Sequence, residues 1–341
     1  FIILSYVTRI VEDTNNLRFL FCIFSVILPF VFFKSFEINR NYKNTNNLLI
    51  LSSCIFFLPA FRYTSIWAND LITSSIFFVF SIYYFKKWQL NQSEKIDLNI
   101  FLQFIFLVLA VYSRQYFAVF FAYFLYSYYV RIKLKSFIIL FLLCIISSLP
   151  VLWYAYHFPE LLSEQHISLN AYSYFLLGNS SIMSIYLYPI ILINFFYKGI
   201  VLDTKVLQYF ILSILIVLLL SINFNPTGWQ GGGVNFVISQ KLFNNNIYFY
   251  FSSIVTFTVF FYLFFEDKRN IILIVLLLIM FFSYQVYQRY YEPMFFVIFF
   301  TLFKTKLLDI FIKKLTPNIL IFSYFFIYYL LAVSDIIHKI N

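Results

Sequence analysis

The chain has 341 residues, of which 62% are hydrophobic and 11% charged, against about 25% charged in soluble domains. That balance excludes a soluble globular domain. The net charge of +10 is carried by Lys and Arg scattered through short loops, so it does not point to a nucleic-acid partner.

Apolar stretches near the ~20-residue length of a membrane crossing recur along the whole chain, which predicts an all-α, polytopic transmembrane helix bundle. Hydropathy divides it into about twelve spans. In order they are Leu17–Phe36, Leu48–Phe61, Ile66–Phe85, Asn99–Ser113, Tyr116–Val130, Ser136–Tyr156, Ala171–Phe196, Lys205–Ile222, Ile247–Phe265, Ile271–Tyr287, Glu292–Phe303 and Asn318–Val333. Pro29 and Pro189 are candidate kinks. The reading is one membrane domain over residues 1–341, with no soluble domain and no domain-wide repeat. Cys22, Cys54 and Cys144 all fall inside apolar runs without CxxC spacing, which predicts neither disulfides nor a metal site.

Alternate loops differ in charge. One set holds 17 of the Lys and Arg residues, including Lys86, Arg131, Arg269 and Lys304, and the other holds seven. The positive-inside rule makes the first set cytoplasmic. The few basic residues of the second set are mostly arginine: Arg9, Arg18, Arg62, Arg114 and Arg289, with Lys241 and Lys339. Orientation needs only positive charge. Arginine adds a planar fork that binds phosphate oxygens in pairs and stays charged when partly dry. The bias therefore hints at an anionic ligand on the non-cytoplasmic side, although a single arginine there can also snorkel to the interface or pair with a nearby acid. On this topology Phe1 lies outside, and the reading expects one further span and a first external loop upstream.

The stretch from Phe61 to Asp70 reads as a short polar turn between two apolar runs, with Arg62 and Asp70 at its ends and Trp67 at headgroup depth. Arg114 and Gln115 interrupt the run Phe101–Tyr129. A centred arginine costs roughly 2.5–3.5 kcal/mol on insertion scales, a cost that falls if it lies at an external turn. Arg289, Tyr290 and Glu292 sit between two later apolar runs, where Arg289 and Glu292 would face each other on one helical turn unless Pro293 starts the next helix. Two longer external loops follow different patterns. Tyr156–Asn170 carries His157, Glu160, Glu164 and His166, whose spacing matches no compact metal motif; one of the two acids could serve as a general base. Asn223–Asn246 holds four of the six glycines, between Gly228 and Gly233. Such a cluster marks positive φ or close backbone approach, and a cover with Trp229 or Asn235 touching sugar is the preferred reading there. The run Gly231-Gly232-Gly233 is not a nucleotide-binding loop.

Several of these motifs, in order, resemble the multi-span GT-C glycosyltransferases, and most closely the dolichyl-phosphoglucose α-glucosyltransferases of asparagine-glycan assembly. They are Leu17-Arg18 opening a span, Phe-Leu-Pro-Ala-Phe-Arg-Tyr closing the next, Ala68-Asn69-Asp70, Ser113-Arg114-Gln115 and Arg289-Tyr290-Tyr291. The resemblance implies a polyprenyl- or dolichyl-phosphate hexose as donor, a glycan or lipid-linked acceptor, membrane lipid around the bundle, no further cofactor and no metal. It puts Asp70 at the family's acid and Arg62, Arg114 and Arg289 on the donor phosphate, with Gln115, Trp229, Asn235, Tyr290 and Glu292 about the substrate. Departures are the missing Asp-Arg pair and histidine in Gly228–Gln240, and an acid of the first external loop, which would lie upstream of Phe1. A polysaccharide polymerase of the O-antigen type and a transporter or flippase are the alternatives. The latter would show mid-membrane polar residues and inverted repeats.

Overall fold

The computed structural model describes residues 14–38, 45–67, 69–91, 94–157, 172–198, 204–222, 224, 233–281 and 287–340. Among them every regular element is helical. In chain order the helices are α1 (Thr14–Ser25), α2 (Ile27–Glu37), α3 (Thr45–Ser53), α4 (Pro59–Ile66), α5 (Asp70–Asn91), α6 (Leu98–Ser113), α7 (Phe120–Tyr129), α8 (Leu134–His157) and α9 (Tyr172–Lys198). They continue with α10 (Thr204–Ser221), α11 (Gly233–Phe243), α12 (Ile247–Glu266), α13 (Asn270–Ile279), α14 (Met294–Thr301), α15 (Asp309–Lys313) and α16 (Leu315–Ile340).

Each apolar stretch marked by hydropathy contains one helix or helix pair. Among the described residues, six segments are long and apolar enough to cross a membrane, or seven if α3 and α4 form one broken span. The six are the α1–α2 pair, α8, α9, α10, α12 and α16. The remaining stretches fold as shorter helices or, for α5, as a long helix diluted by Thr73, Ser74, Ser75 and Ser81.

Local sequence explains the breaks. Pro59 opens α4 at its first turn, where its missing N–H costs nothing. The residue before a proline is driven out of the helical region, and Leu58 is extended at φ −73° and ψ 120°. The chain therefore bends by 66° between α3 and α4. This corrects two sequence expectations: the Leu48–Phe61 run is not one straight helix, and most of the polar turn that follows it is helix. Thr64 and Ser65 fit that helix by returning their hydroxyls to the carbonyls of Ala60 and Phe61 at 2.7–3.1 Å. Pro29 sits in the first turn of α2, just past the break at Val26, whereas Pro189 lies inside a continuous α9.

Burial sorts the helices into centre and rim. The crossing segment of α9 is 78% buried, that of α10 is 11% and that of α8 is 6%. The bare faces of α8 and α10 are leucine, isoleucine and phenylalanine, a surface that only a lipid phase would wet without penalty. At the centre, α9 replaces bulk with small polar residues, which lets neighbours approach closely and hydrogen bond across the gap. Thr256 of α12 donates to the carbonyl of Ser180 at 2.7 Å, Ser253 to that of Leu177 at 3.1 Å, and the Asn179 amide to Leu278 of α13 at 2.8 Å. In the other half, Gln103 of α6 is buried and joins three helices. Its amide donates to Ser81 of α5 at 3.0 Å, and its carbonyl accepts from the Tyr128 hydroxyl of α7 at 2.9 Å.

Gln103→Leu strands the Tyr128 hydroxyl and should cost about 1–2 kcal/mol, read as a lower thermal midpoint in detergent. Adding Tyr128→Phe should recover much of the loss, because no orphaned donor remains.

Candidate functional site

The Asp70 turn is built by capping. Asn69 precedes α5, and its side-chain oxygen accepts from the backbone N–H of Leu71 at 2.9 Å, the N-cap arrangement. The Asn69 N–H in turn reaches the carbonyl of Thr64 at 3.0 Å, which locks the turn onto α4. Asp70 is thereby held in the first turn of α5 with its carboxylate exposed.

Arg114 comes to this turn from α6. It caps that helix in an extended conformation, φ −148° and ψ 114°, so its side chain leaves the helix surface. Its Nη2 meets Asp70 Oδ1 at 2.5 Å and Asn69 Oδ1 at 3.2 Å. Its Nε is buried and has no hydrogen-bond partner. The hydroxyl of Tyr116, two residues on, is buried as well, with the Ser74 hydroxyl as its weak partner and Arg114, Asp70 and Tyr290 within electrostatic reach. An orphaned buried donor costs about 1–3 kcal/mol, and native structures tolerate few. The stranded Nε beside an exposed carboxylate marks this turn.

The other sequence-predicted residues reach the same end by different routes. α4 packs against the turn Gln288–Tyr290, bringing Arg62 toward Arg289. Tyr290 stacks on Phe281 at 5.0 Å, and Phe281 meets Tyr116 at 4.9 Å, so an aromatic chain links the Arg289 turn to the Arg114 turn. The guanidinium of Arg62 lies 4.9 Å over Tyr329, and that of Arg289 lies 5.1 Å over Tyr287 and 5.5 Å over Tyr290. Among the described residues, no carboxylate lies within ion-pair distance of either. Gln115 is exposed beside Arg114.

Glu292 and Asn235 face inward. Arg289 and Glu292 do not pair across a helical turn, because a three-residue 3₁₀ turn and then Pro293 separate their directions. Glu292 is 1% exposed. Its Oε1 accepts from Tyr186 at 2.6 Å, Gln288 at 2.8 Å and Tyr328 at 3.1 Å, and its Oε2 accepts from the backbone N–H of Ala60 at 2.7 Å. Asn235 is 2% exposed and spends its amide on the Ser181 carbonyl at 2.6 Å and the Ser184 hydroxyl at 2.7 Å. Neither is open to a ligand in this arrangement. Gly233, the last of the glycine run, has φ +71° and room for no Cβ: one would lie 2.7 Å from Ile182 Cγ1 and 3.2 Å from Gln288 Oε1. Its close approach is thus to the protein's own wall. Trp229, Glu160, Glu164 and His166 lie outside the described residues. His157 ends α8 with its Nδ1 2.9 Å from the Trp153 carbonyl. Among the described residues, no group of three metal-ligating side chains forms.

Two further residues join this end. Arg18, one of the external arginines and part of the first motif, lies on α1 with its guanidinium 4.2 Å over the Trp67 ring, adding a fourth guanidinium beside the Asp70 turn across 49 positions of chain. Tyr116 is one tyrosine among 29, and only its buried hydroxyl marks it.

No protein-family profile matches this chain, and neither a curated protein nor a solved structure matches it.

Glu292→Ala would leave four donors facing a cavity and should cost about 3 kcal/mol or more, measured by thermal unfolding in detergent; Glu292→Gln, which keeps one acceptor, should cost less. Gly233→Ala should cost about 1–3 kcal/mol from its positive φ alone.

Proposed function

We propose that the chain is a multi-pass integral-membrane glycosyltransferase that moves a hexose from a polyprenyl- or dolichyl-phosphate donor to a glycan or lipid-linked acceptor on the non-cytoplasmic face. In this reading the broken α3–α4 pair and the helices α5, α6, α7, α13 and α14 join the six long spans in a twelve-span bundle. What carries the proposal is the pairing of an exposed carboxylate, Asp70, with a guanidinium that keeps a buried Nε donor unspent beside the buried Tyr116 phenol.

The chemistry follows from those groups. The acceptor hydroxyl gives its proton to a carboxylate while its oxygen bonds to the anomeric carbon. The bond from that carbon to the phosphate oxygen breaks, with inversion. The leaving lipid phosphate carries the new negative charge, and fixed donors in a half-dry site stabilise it better than water does. In this scheme a phosphate oxygen drawn to the turn would complete Arg114 Nε, with the Tyr116 hydroxyl beside it. A phosphate drawing Arg114 to itself would also release Asp70 from the ion pair, coupling donor binding to the availability of the base. Arg62 and Arg289, held by rings and paired with no carboxylate among the described residues, supply the wider positive field. Glu292, Gln288 and Asn235 act as scaffold in this scheme.

Arg114→Ala should lower hexose transfer from a polyprenyl-phosphate donor in isolated membranes on the order of 10²-fold, with membrane abundance unchanged. Asp70→Asn should do the same, and Tyr116→Phe should have a smaller effect. Wild-type turnover by Arg114→Ala would remove the proposal's central residue.

A further inference from the structure

The opposite end of the molecule holds a second positive feature. A cleft of about 50 Å³ opens where the end of α5, the end of α7, the α12–α13 turn and the end of α14 meet. Gln89, Ser127, Arg131, Arg269, Asn270 and Lys304 are among its walls. These basic residues come from three loops that charge counting assigns to the cytoplasmic side, and the fold brings them to one place.

Their charges are poorly balanced. Arg269 is held by Asp267 through a two-pronged contact at 2.6 and 2.9 Å. The Arg131 guanidinium lies 5.7 Å from the Trp88 ring. Among the described residues, no carboxylate lies within ion-pair distance of Arg131 or Lys304. The Lys304 ammonium is held below its ordinary value, first by partial burial and then by Arg269, with Arg131 adding to the effect and Asp267 opposing it. Among the described residues three cations are crowded here against one carboxylate, Asp267, which Arg269 takes up, and the backbone keeps them so: the Asn270 side chain bonds both the N–H and the carbonyl of Lys304, at 3.1 and 2.9 Å.

The surroundings say what kind of anion fits. Beside Arg131 the exposed Tyr129 and Val130 lead into the bare apolar face of α8. A ligand with its charge in the cleft and an apolar tail along that face matches both surfaces, and basic pockets at the cytoplasmic ends of spans suit lipid phosphates. We propose that this cleft binds the phosphate ester of an anionic phospholipid from the cytoplasmic leaflet, through Arg131, Arg269 and Lys304. The site is separate from the Asp70 end and does not depend on the transferase reading.

The full chain, purified in a mild detergent, is titrated with phosphatidylglycerol, with phosphatidylcholine and with inorganic phosphate, and binding is read by native mass spectrometry and thermal shift. Phosphatidylglycerol should bind at least fivefold more tightly than phosphatidylcholine. Lys304→Gln and the Arg131→Gln/Lys304→Gln pair should lose that preference, while Lys313→Gln/Lys314→Gln keeps it. Protection by inorganic phosphate equal to that by the lipid would retain the phosphate cleft but assign it a free anion. Equal lipid binding by all variants would overturn the site, leaving only general attraction to a basic face. If the paired variant does not fold, a phosphatidylglycerol photoprobe on the wild-type chain decides: adducts concentrated in 126–131 and 302–306 support the cleft, and adducts spread along other loops refute it.

Discussion

Both oxygens of Glu292 are filled by donors from four separated parts of the chain: the start of α4, the middle of α9, the turn before α14 and the C-terminal half of α16. A carboxylate can be buried only if such partners replace its water. Once they do, it fixes their mutual positions. The Arg62 helix and the Arg289 turn therefore stand where they do because of an acid that is itself out of reach of solvent. Gln288 extends the same network, since its carbonyl also receives the N–H of Val234 at 3.0 Å and so anchors α11. This end of the bundle is organised from within.

The proposed site uses a different economy. Asp70 and Arg114 pair at the surface through Nη2 alone, and the remaining guanidiniums beside them rest on aromatic rings. A ring engages the face of a guanidinium and leaves its N–H edge available, whereas a carboxylate takes up the edge. Among the described residues, then, no carboxylate takes up Arg62 or Arg289. At the opposite end Asp267 chelates Arg269, while no described carboxylate lies within ion-pair distance of Arg131 or Lys304.

The helical class was legible because long apolar runs leave few alternatives, and each run does contain a helix. The meeting of Asp70 with an arginine was also within reach of the chain order. Other features were hidden for identifiable reasons. Helical spacing placed Arg289 opposite Glu292, but the local backbone is a 3₁₀ turn that ends at Tyr290, before the next helix starts after Pro293, and the two side chains enter opposite environments. Leu58 looked like one more apolar residue in a span, although Pro59 after it dictates the bend. Asn235 read as a loop residue near glycines, yet its amide completes the polar seam of α9. The contacts of Arg18 with Trp67, and of Arg131 with the Lys304 loop, depend on tertiary packing and leave no local pattern.

The bend at Leu58 has a mechanical consequence. It cuts α4 to eight residues and frees its first amides, one of which Glu292 captures. At its far end the helix is tethered again, by Trp67 under Arg18 and by Thr64 to Asn69. A rod so short, clamped at both ends, has little freedom to flex along its length. Arg62 and the Asn69–Asp70 corner are then parts of one stiff strut, and any displacement of the corner must carry the arginine with it.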